Sequence, residues 1–122
     1  MIGKTTGMEK AADCAAAITA PYTIATFGGD DDTLALATSA TDAMLGIFQH
    51  TTTAAGETVR IMMTGISDCK LGGTVARGKP VTADANGKGV QAAANESSVG
   101  TAMASGVAGD IIPIFLMPFS VV

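Results

Sequence analysis

The sequence has no tryptophan, one tyrosine and four phenylalanines, so aromatic residues make up only 4% of its 122 residues. That scarcity argues against a surface that recognises bases or sugar rings by stacking, because such surfaces are built from exposed aromatics. A single histidine, His50, excludes a histidine-built metal cluster and leaves any Cys–His or Ser–His pair dependent on that one ring. The two cysteines, Cys14 and Cys69, match neither a CxxC nor a zinc spacing. Two free, buried thiols are the simpler reading, with a disulfide as the alternative, and they fit folding in a reducing cytoplasm. Charge is sparse at 15%, and seven basic residues spread along the chain face eleven acidic ones, for a net charge of −4 and a pI of about 4.6. Without a basic patch, nucleic-acid binding is disfavoured. Long apolar runs are missing too. The stretch at 111–119, IIPIFLMPF, is too short to span a bilayer and is broken by two prolines. The N-terminal MIGKTTGMEK lacks the apolar segment of a signal peptide. The expectation is a soluble protein, made in the cytoplasm, with no membrane partner and no cofactor.

What remains is mostly Ala, Val, Ile, Leu and Met, with 15 glycines and 48% hydrophobic residues overall. Small side chains bury little area each, so the core gains less per residue than an aromatic-rich one. A mean hydropathy of +0.40 with so little charge leaves apolar surface to face a partner. The length fits one domain.

Residues 1–20 read as an N-terminal arm, extended or with a short helix, because Met8 to Ile18 (MEKAADCAAAI) is rich in alanine. Residues 21–122 read as a single β-rich domain. YTIATF, TLALAT, AMLGIFQ and ETVRIMMTG are short β-prone stretches separated by Gly, Asp and Thr clusters. GGDDDT at 28–33 is a turn between the first two, and its aspartates read as a solvated loop. A calcium loop would need further oxygen ligands at alternate positions, which Thr33, Leu34 and Ala35 do not supply. An internal echo supports the β reading. Leu45-Gly46-Ile47 precedes Ala55-Gly56-Glu57-Thr58-Val59-Arg60-Ile61, and Val99-Gly100-Thr101 precedes Ala108-Gly109-Asp110-Ile111-Ile112-Pro113-Ile114. Each copy is a strand with an interior glycine, an Ala-Gly-acid turn and a second strand. Two copies fall short of a solenoid and suggest two similar hairpins in one small sheet or barrel.

One segment imitates a nucleotide site. Gly73-x-x-x-x-Gly78-Lys79 lacks only the final Ser or Thr of a P-loop, and Pro80 stands in its place. A working P-loop needs that hydroxyl for magnesium and a helix N-terminus for the phosphates. Pro80 has neither hydroxyl nor N–H, and VTADANGKGV shows no helical period. A β-hairpin turning at Asp84-Ala85-Asn86-Gly87 fits every residue, with Asn and Gly tolerating positive φ. His50 sits between Gln49 and a threonine run and reads as a satisfied or surface histidine. The methionines 62, 63, 103 and 117 read as core or interface filler. Asn95-Glu96-Ser97 matches a glycosylation triplet formally, which carries no meaning in a protein made in the cytoplasm. No enzyme site emerges.

The order and spacing of the turns carry a family resemblance over about two-thirds of the chain. They run through Asp42-Ala43-Met44-Leu45-Gly46-Ile47, Ala55-Gly56-Glu57-Thr58-Val59, Gly65 and Gly72-Gly73-Thr74-Val75. They continue with Gly78-Lys79-Pro80-Val81-Thr82-Ala83-Asp84-Ala85-Asn86-Gly87-Lys88, Val99-Gly100-Thr101-Ala102 and Ala108 to Ile114. From Thr41 onward the chain resembles the capsid cement, or head decoration, proteins of tailed bacteriophages. The resemblance implies a mainly-β fold, a small compact β-barrel or β-sandwich-like domain, without catalytic activity. It implies a place on the outer capsid surface of the virion, the major capsid protein as partner, and a homotrimer at threefold or quasi-threefold positions. There it would bridge capsid subunits and stabilise the mature shell. Residues 1–40 depart from the commoner pattern. Within this reading, the arm residues Met1, Ile2, Gly3, Lys4, Thr5, Thr6, Gly7, Met8, Glu9 and Lys10 are the candidate capsid contacts. Ile112, Ile114, Phe115, Met117 and Phe119 are candidates for an oligomer interface or the core, on a strand that Pro113 and Pro118 confine to an edge or interrupt. The alternative is a head-fibre base or a carbohydrate- or host-surface-binding β module, against which the missing aromatics argue.

Overall fold

The computed structural model describes residues 5–121, and the side chains of all of these except Thr5, Thr6, Pro118 and Ser120. Among the described residues there are eleven strands and no helix. They are β1 (Thr5–Thr6), β2 (Glu9–Cys14), β3 (Ile24–Phe27), β4 (Thr33–Leu36), β5 (Gly46–Phe48), β6 (Thr58–Met62), β7 (Gly65–Lys70), β8 (Pro80–Ala83), β9 (Gly89–Gln91), β10 (Ser97–Ala102) and β11 (Ile111–Ser120). Strands β2-β4-β3-β5-β6 close a barrel, and the others form a six-stranded sheet in the order β1-β7-β11-β10-β8-β9.

Period-two alternation along the barrel strands divides the apolar residues between two cores. Cys14, Ala25, Leu34, Phe48, Val59 and Ile61 fill the barrel together with Ile18. Their neighbours Ile24, Ile47 and Met62 point outward and meet Cys69, Leu71, Val81, Val99, Ile112, Ile114 and Leu116 of the six-stranded sheet. The wall formed by β3, β5 and β6 is therefore buried on both faces, which explains the continuous apolar run Leu45-Gly46-Ile47-Phe48. Both cysteines are free and buried, one in each core. Burial pushes the Cys69 thiol up to about 12, so it stays protonated and inert at neutral pH.

The expected short helix over Met8–Ile18 is not formed. Glu9–Cys14 is instead a strand, paired antiparallel with β6 from Glu9↔Met62 to Asp13↔Thr58 and parallel with β4 at Asp13↔Thr33 and Cys14↔Leu34. An isolated helix of this length is marginal in water. As a strand, the segment hydrogen-bonds the edge of β6, and its alanines are small enough for a narrow barrel. Tertiary pairing overrides alanine's propensity.

The internal echo is structural. Gly46 faces the Met62 carbonyl and Gly100 faces the Phe115 carbonyl so closely that a Cβ at either place would collide with it. The turn glycines, Gly56 (φ +89°) and Gly109 (φ +91°), are both left-handed. The Gly56 N–H donates to the Cys14 carbonyl while the Cys14 N–H donates to Glu57; Gly109 and Asp110 make the same exchange with Leu71. Two residues opposing one, with glycine in the left-handed region, is a G1 β-bulge. The two hairpins do not share a sheet: one belongs to the barrel and the other to the six-stranded sheet.

A third copy of this bulge is the P-loop look-alike. Gly78 (φ +87°) donates to the Ala102 carbonyl at 2.7 Å, and the Ala102 N–H donates to Lys79 at 3.0 Å. Pro80 follows as the first residue of β8, where a missing N–H does least harm. The β8–β9 hairpin is present, with Thr82↔Val90 and Ala83↔Gly89 paired. Its turn differs from a two-residue Asn-Gly turn. Only Gly87 (φ +74°) is left-handed, and the Asp84 carboxylate accepts from the N–H groups of Asn86 and Lys88. The turn docks on the barrel: the Gly87 carbonyl accepts from the Ile24 N–H at 2.8 Å, and its Cα lies against Leu36. Gly87→Ala is expected to cost about 1–2 kcal/mol for the left-handed backbone alone, with the collision against Leu36 adding to it. A lowered urea midpoint at unchanged slope checks this.

Strand β11 is not an edge strand. It lies centrally, pairing with β7 from Ile111↔Lys70 to Leu116↔Gly65 and with β10 on its other side. Pro113 fits because its N and C=O face the point where β10 ends: its carbonyl accepts from the Met103 N–H at 3.0 Å, just beyond the last pair, Ala102↔Ile114. The register shifts between Ser98 and Gly100, opposite Leu116 to Phe119, so Pro118 falls in an irregular stretch where no regular ladder bond is required.

Candidate interaction surfaces

The most unusual surface follows from the alternation of β11. Ile112, Ile114 and Leu116 point into the core, whereas Ile111, Phe115, Met117 and Phe119 are each between 41% and 56% exposed. Of the five residues expected at an interface or in the core, Ile112 and Ile114 are therefore core, and Phe115, Met117 and Phe119 lie on the outside. Phe115 stands opposite Ile66 of β7 and Thr101 of β10, both half-buried. Directly opposed residues share a face of the sheet, so these two flank the phenylalanine ring. Val107, in the β10–β11 turn, is exposed as well. These side chains form a row along one face of a central strand, which sets them apart from singly scattered exposed apolar residues.

The expected arm contacts are divided differently. Met1, Ile2, Gly3 and Lys4 lie outside the described residues. Thr5 and Thr6 pair with Ile66 and Gly65 as β1. Gly7 packs its Cα against Thr64, and the Met8 side chain is exposed. Glu9 and Lys10 open β2, where Glu9 meets Arg60 at 3.5 Å. This exposed pair contributes little to stability.

The features with chemical potential are occupied locally. The Arg60 N–H donates to His50 Nε2 at 3.2 Å, which leaves the proton on Nδ1 to be donated to the Thr51 carbonyl at 3.1 Å. The ring thus ties the end of β5 to β6. The Thr53 hydroxyl donates to the Glu57 carboxylate at 2.6 Å, and this bond holds its pKa below the usual value. Asp30–Asp32 form the exposed β3–β4 turn, with Asp32 at φ +62° and the Thr33 hydroxyl donating to the Asp30 carbonyl at 2.6 Å. Among the described residues no group of three or more His, Cys, Asp or Glu is placed to hold a metal ion, and no helix is long and apolar enough to cross a membrane.

A concavity lies at one end of the barrel. It is a cavity of about 270 Å³ lined by Ala12, Phe27, Leu34, Leu45, Ile61 and Met63, with Lys10, Asp32 and Thr33 at its edge. Of the residues expected to make contacts, only Lys10 reaches it. Its apolar lining comes from five strands or their ends, so no local motif announces it.

A family model described as "Phage cement protein" matches residues 16–112, most of the chain. The chain belongs to the phage cement protein family. It is a phage structural protein, and its place is the capsid of the virion. No curated protein matches the chain. Among solved structures, it is similar to the head fiber gp8.5 N base of bacteriophage phi29, with a TM-score of 0.68 at 13% identity over 90% of this chain and 93% of that one. At that identity the likeness shows a shared fold. The family match begins earlier than the resemblance read from the turns, at residue 16 rather than Thr41. It takes in β3 to β10 and leaves out β1, β2 and nearly all of β11, the strand that carries the exposed apolar row.

Proposed function

We propose that the chain decorates the outer surface of a phage head, bridging neighbouring major capsid protein subunits and reinforcing the shell without catalysing a reaction. The observation that carries this reading is the apolar row Ile111–Phe115–Met117–Phe119 on the outer face of the six-stranded sheet, in a chain of the cement family. A homotrimer at threefold or quasi-threefold positions would bury this row between subunits and leave the barrels to meet the shell. Binding at many equivalent positions lets weak single contacts add up to durable decoration. The arm residues Met1 to Lys10 contribute to the capsid side.

The direct test mixes purified chain with undecorated capsids and images them, with sedimentation of the free chain alongside. Deletion of residues 1–4, which leaves β1 and β2 whole, is expected to lower capsid occupancy at least tenfold while the thermal midpoint moves little. Unchanged occupancy would remove the arm from the capsid contact. A second reading, a head-fibre base, is favoured by the shared fold with the phi29 fibre base. Images showing the chain as the root of a longer projection, rather than as a compact cap on the shell, would decide for it.

A further inference from the structure

The barrel is open on one side at the end where the cavity lies. Strand β2 pairs with β6 along Glu9–Asp13 but with β4 only at Asp13 and Cys14. The N–H groups of Asp13 and Ala15 donate toward the β4 side, to Asp32 and Leu34. By the same alternation the main-chain groups of Ala11 face the same side, before β4 has begun. A stretch of strand edge without a partner among the described residues thus borders an apolar cavity of about 270 Å³. A dry cavity of about 150 Å³ accepts a benzene ring, so this one has room for a phenylalanine-sized side chain. Phe27 stands at its rim, 66% exposed.

The charge around this opening is lopsided. Asp30, Asp31 and Asp32 form the adjoining turn, and Lys10 is the basic side chain at the cavity's edge; Glu9, Asp13 and Arg60 lie on the other face of this wall. Three aspartates of the turn face one lysine, so the rim of the opening is acidic. Glu9 is the one of these acids paired with a base, Arg60, among the described residues.

Resting on the decoration reading, we infer that the open barrel end captures an extended segment of the shell protein. The segment adds a strand along Glu9–Ala12, places one large apolar side chain in the cavity, and presents Lys or Arg to the Asp30–Asp32 turn. Strand addition supplies main-chain hydrogen bonds, and the side-chain pocket supplies specificity. Complementary charge raises the encounter rate and makes binding sensitive to salt.

The test measures binding of the full chain to undecorated capsids at low and high salt. Ala12→Phe fills the cavity and is expected to weaken binding at least tenfold. Asp31→Lys reverses charge on an exposed turn without touching the cavity; it should weaken binding severalfold and flatten the salt dependence. Should Ala12→Phe not fold, Phe27→Ala removes the rim at an exposed position and should lower affinity severalfold. Wild-type binding by these variants overturns the inference and leaves the decoration reading intact. No capsid binding by the wild-type chain overturns both. Variants that alter only self-association of the free chain would assign the opening to a second copy and overturn the shell-protein assignment.

Discussion

Replacing Phe115 by Asp is expected to abolish stable capsid decoration while leaving the fold in place. The ring is 42% exposed and lies on the outer face of β11, flanked by the half-buried Ile66 and Thr101, so the substitution leaves both cores intact. Its folding cost should stay within about 1 kcal/mol, as for exposed sheet positions. Association is another matter. Covering the exposed part of this phenylalanine contributes about 1 kcal/mol, and an aspartate in the same contact would be an unpaired charge removed from water, costing about 2 kcal/mol or more. A loss of about 3 kcal/mol corresponds to more than a hundredfold in affinity at each contact, and losing the trimer would remove the gain from multivalency as well. Capsid occupancy by imaging is the decisive measurement, with sedimentation showing whether the free chain associates first. A variant with wild-type occupancy would disqualify the β11 face as an interface.

The largest expected loss of stability comes from Phe48→Ala. Phe48 is completely buried in the barrel core with Cys14, Val59 and Ile61, and it pairs with Ile61 across β5 and β6. Deleting a buried phenylalanine costs about 3–5 kcal/mol, a large share of the roughly 5–15 kcal/mol of a typical domain. The barrel should be unable to collapse around the void, since its wall is fixed on the other face by Ile24, Ile47 and Met62. A fall in melting temperature on the order of 15 °C is expected, read by calorimetry or urea unfolding. Phe27→Ala, at the open end of the same barrel, should move it by only a few degrees. Equal losses at both positions would contradict the placement of the core.

Strands with ordinary alternation or β-branched residues were readable in the sequence, and so were the glycine turns. TVRIM of β6 exposes Thr58 and Arg60 and buries Val59 and Ile61, which is the period of a half-buried strand. Strand β7, GISDCK, was not readable because its inward positions are Ser67 and Cys69 while Ile66 points outward. Its polarity pattern is the reverse of a core strand. Ser67 tolerates full burial because it is hydrogen-bonded to Gln49 and to the Asp68 carbonyl. The helix expected at Met8–Ile18 failed for a related reason: an alanine-rich segment carries a local preference but no record of the edge of β6 that awaits it.

The sequence by itself determined the material of this protein: short strands, left-handed glycines at the bulges, and an apolar segment in β11 that needed somewhere to go. The turn order was enough to suggest its family, because glycines such as Gly56, Gly78 and Gly109 are called for by the left-handed backbone of their own turns. Tertiary structure alone decided which side of β11 meets water, that Glu9–Cys14 closes a barrel, and that five strands leave an apolar opening beside an acidic turn. Those outcomes depend on pairing between residues far apart in the chain, such as Ala12 with Val59 and Ile112 with Cys69. No local preference encodes which edge a strand will find, and the face it presents follows from that register.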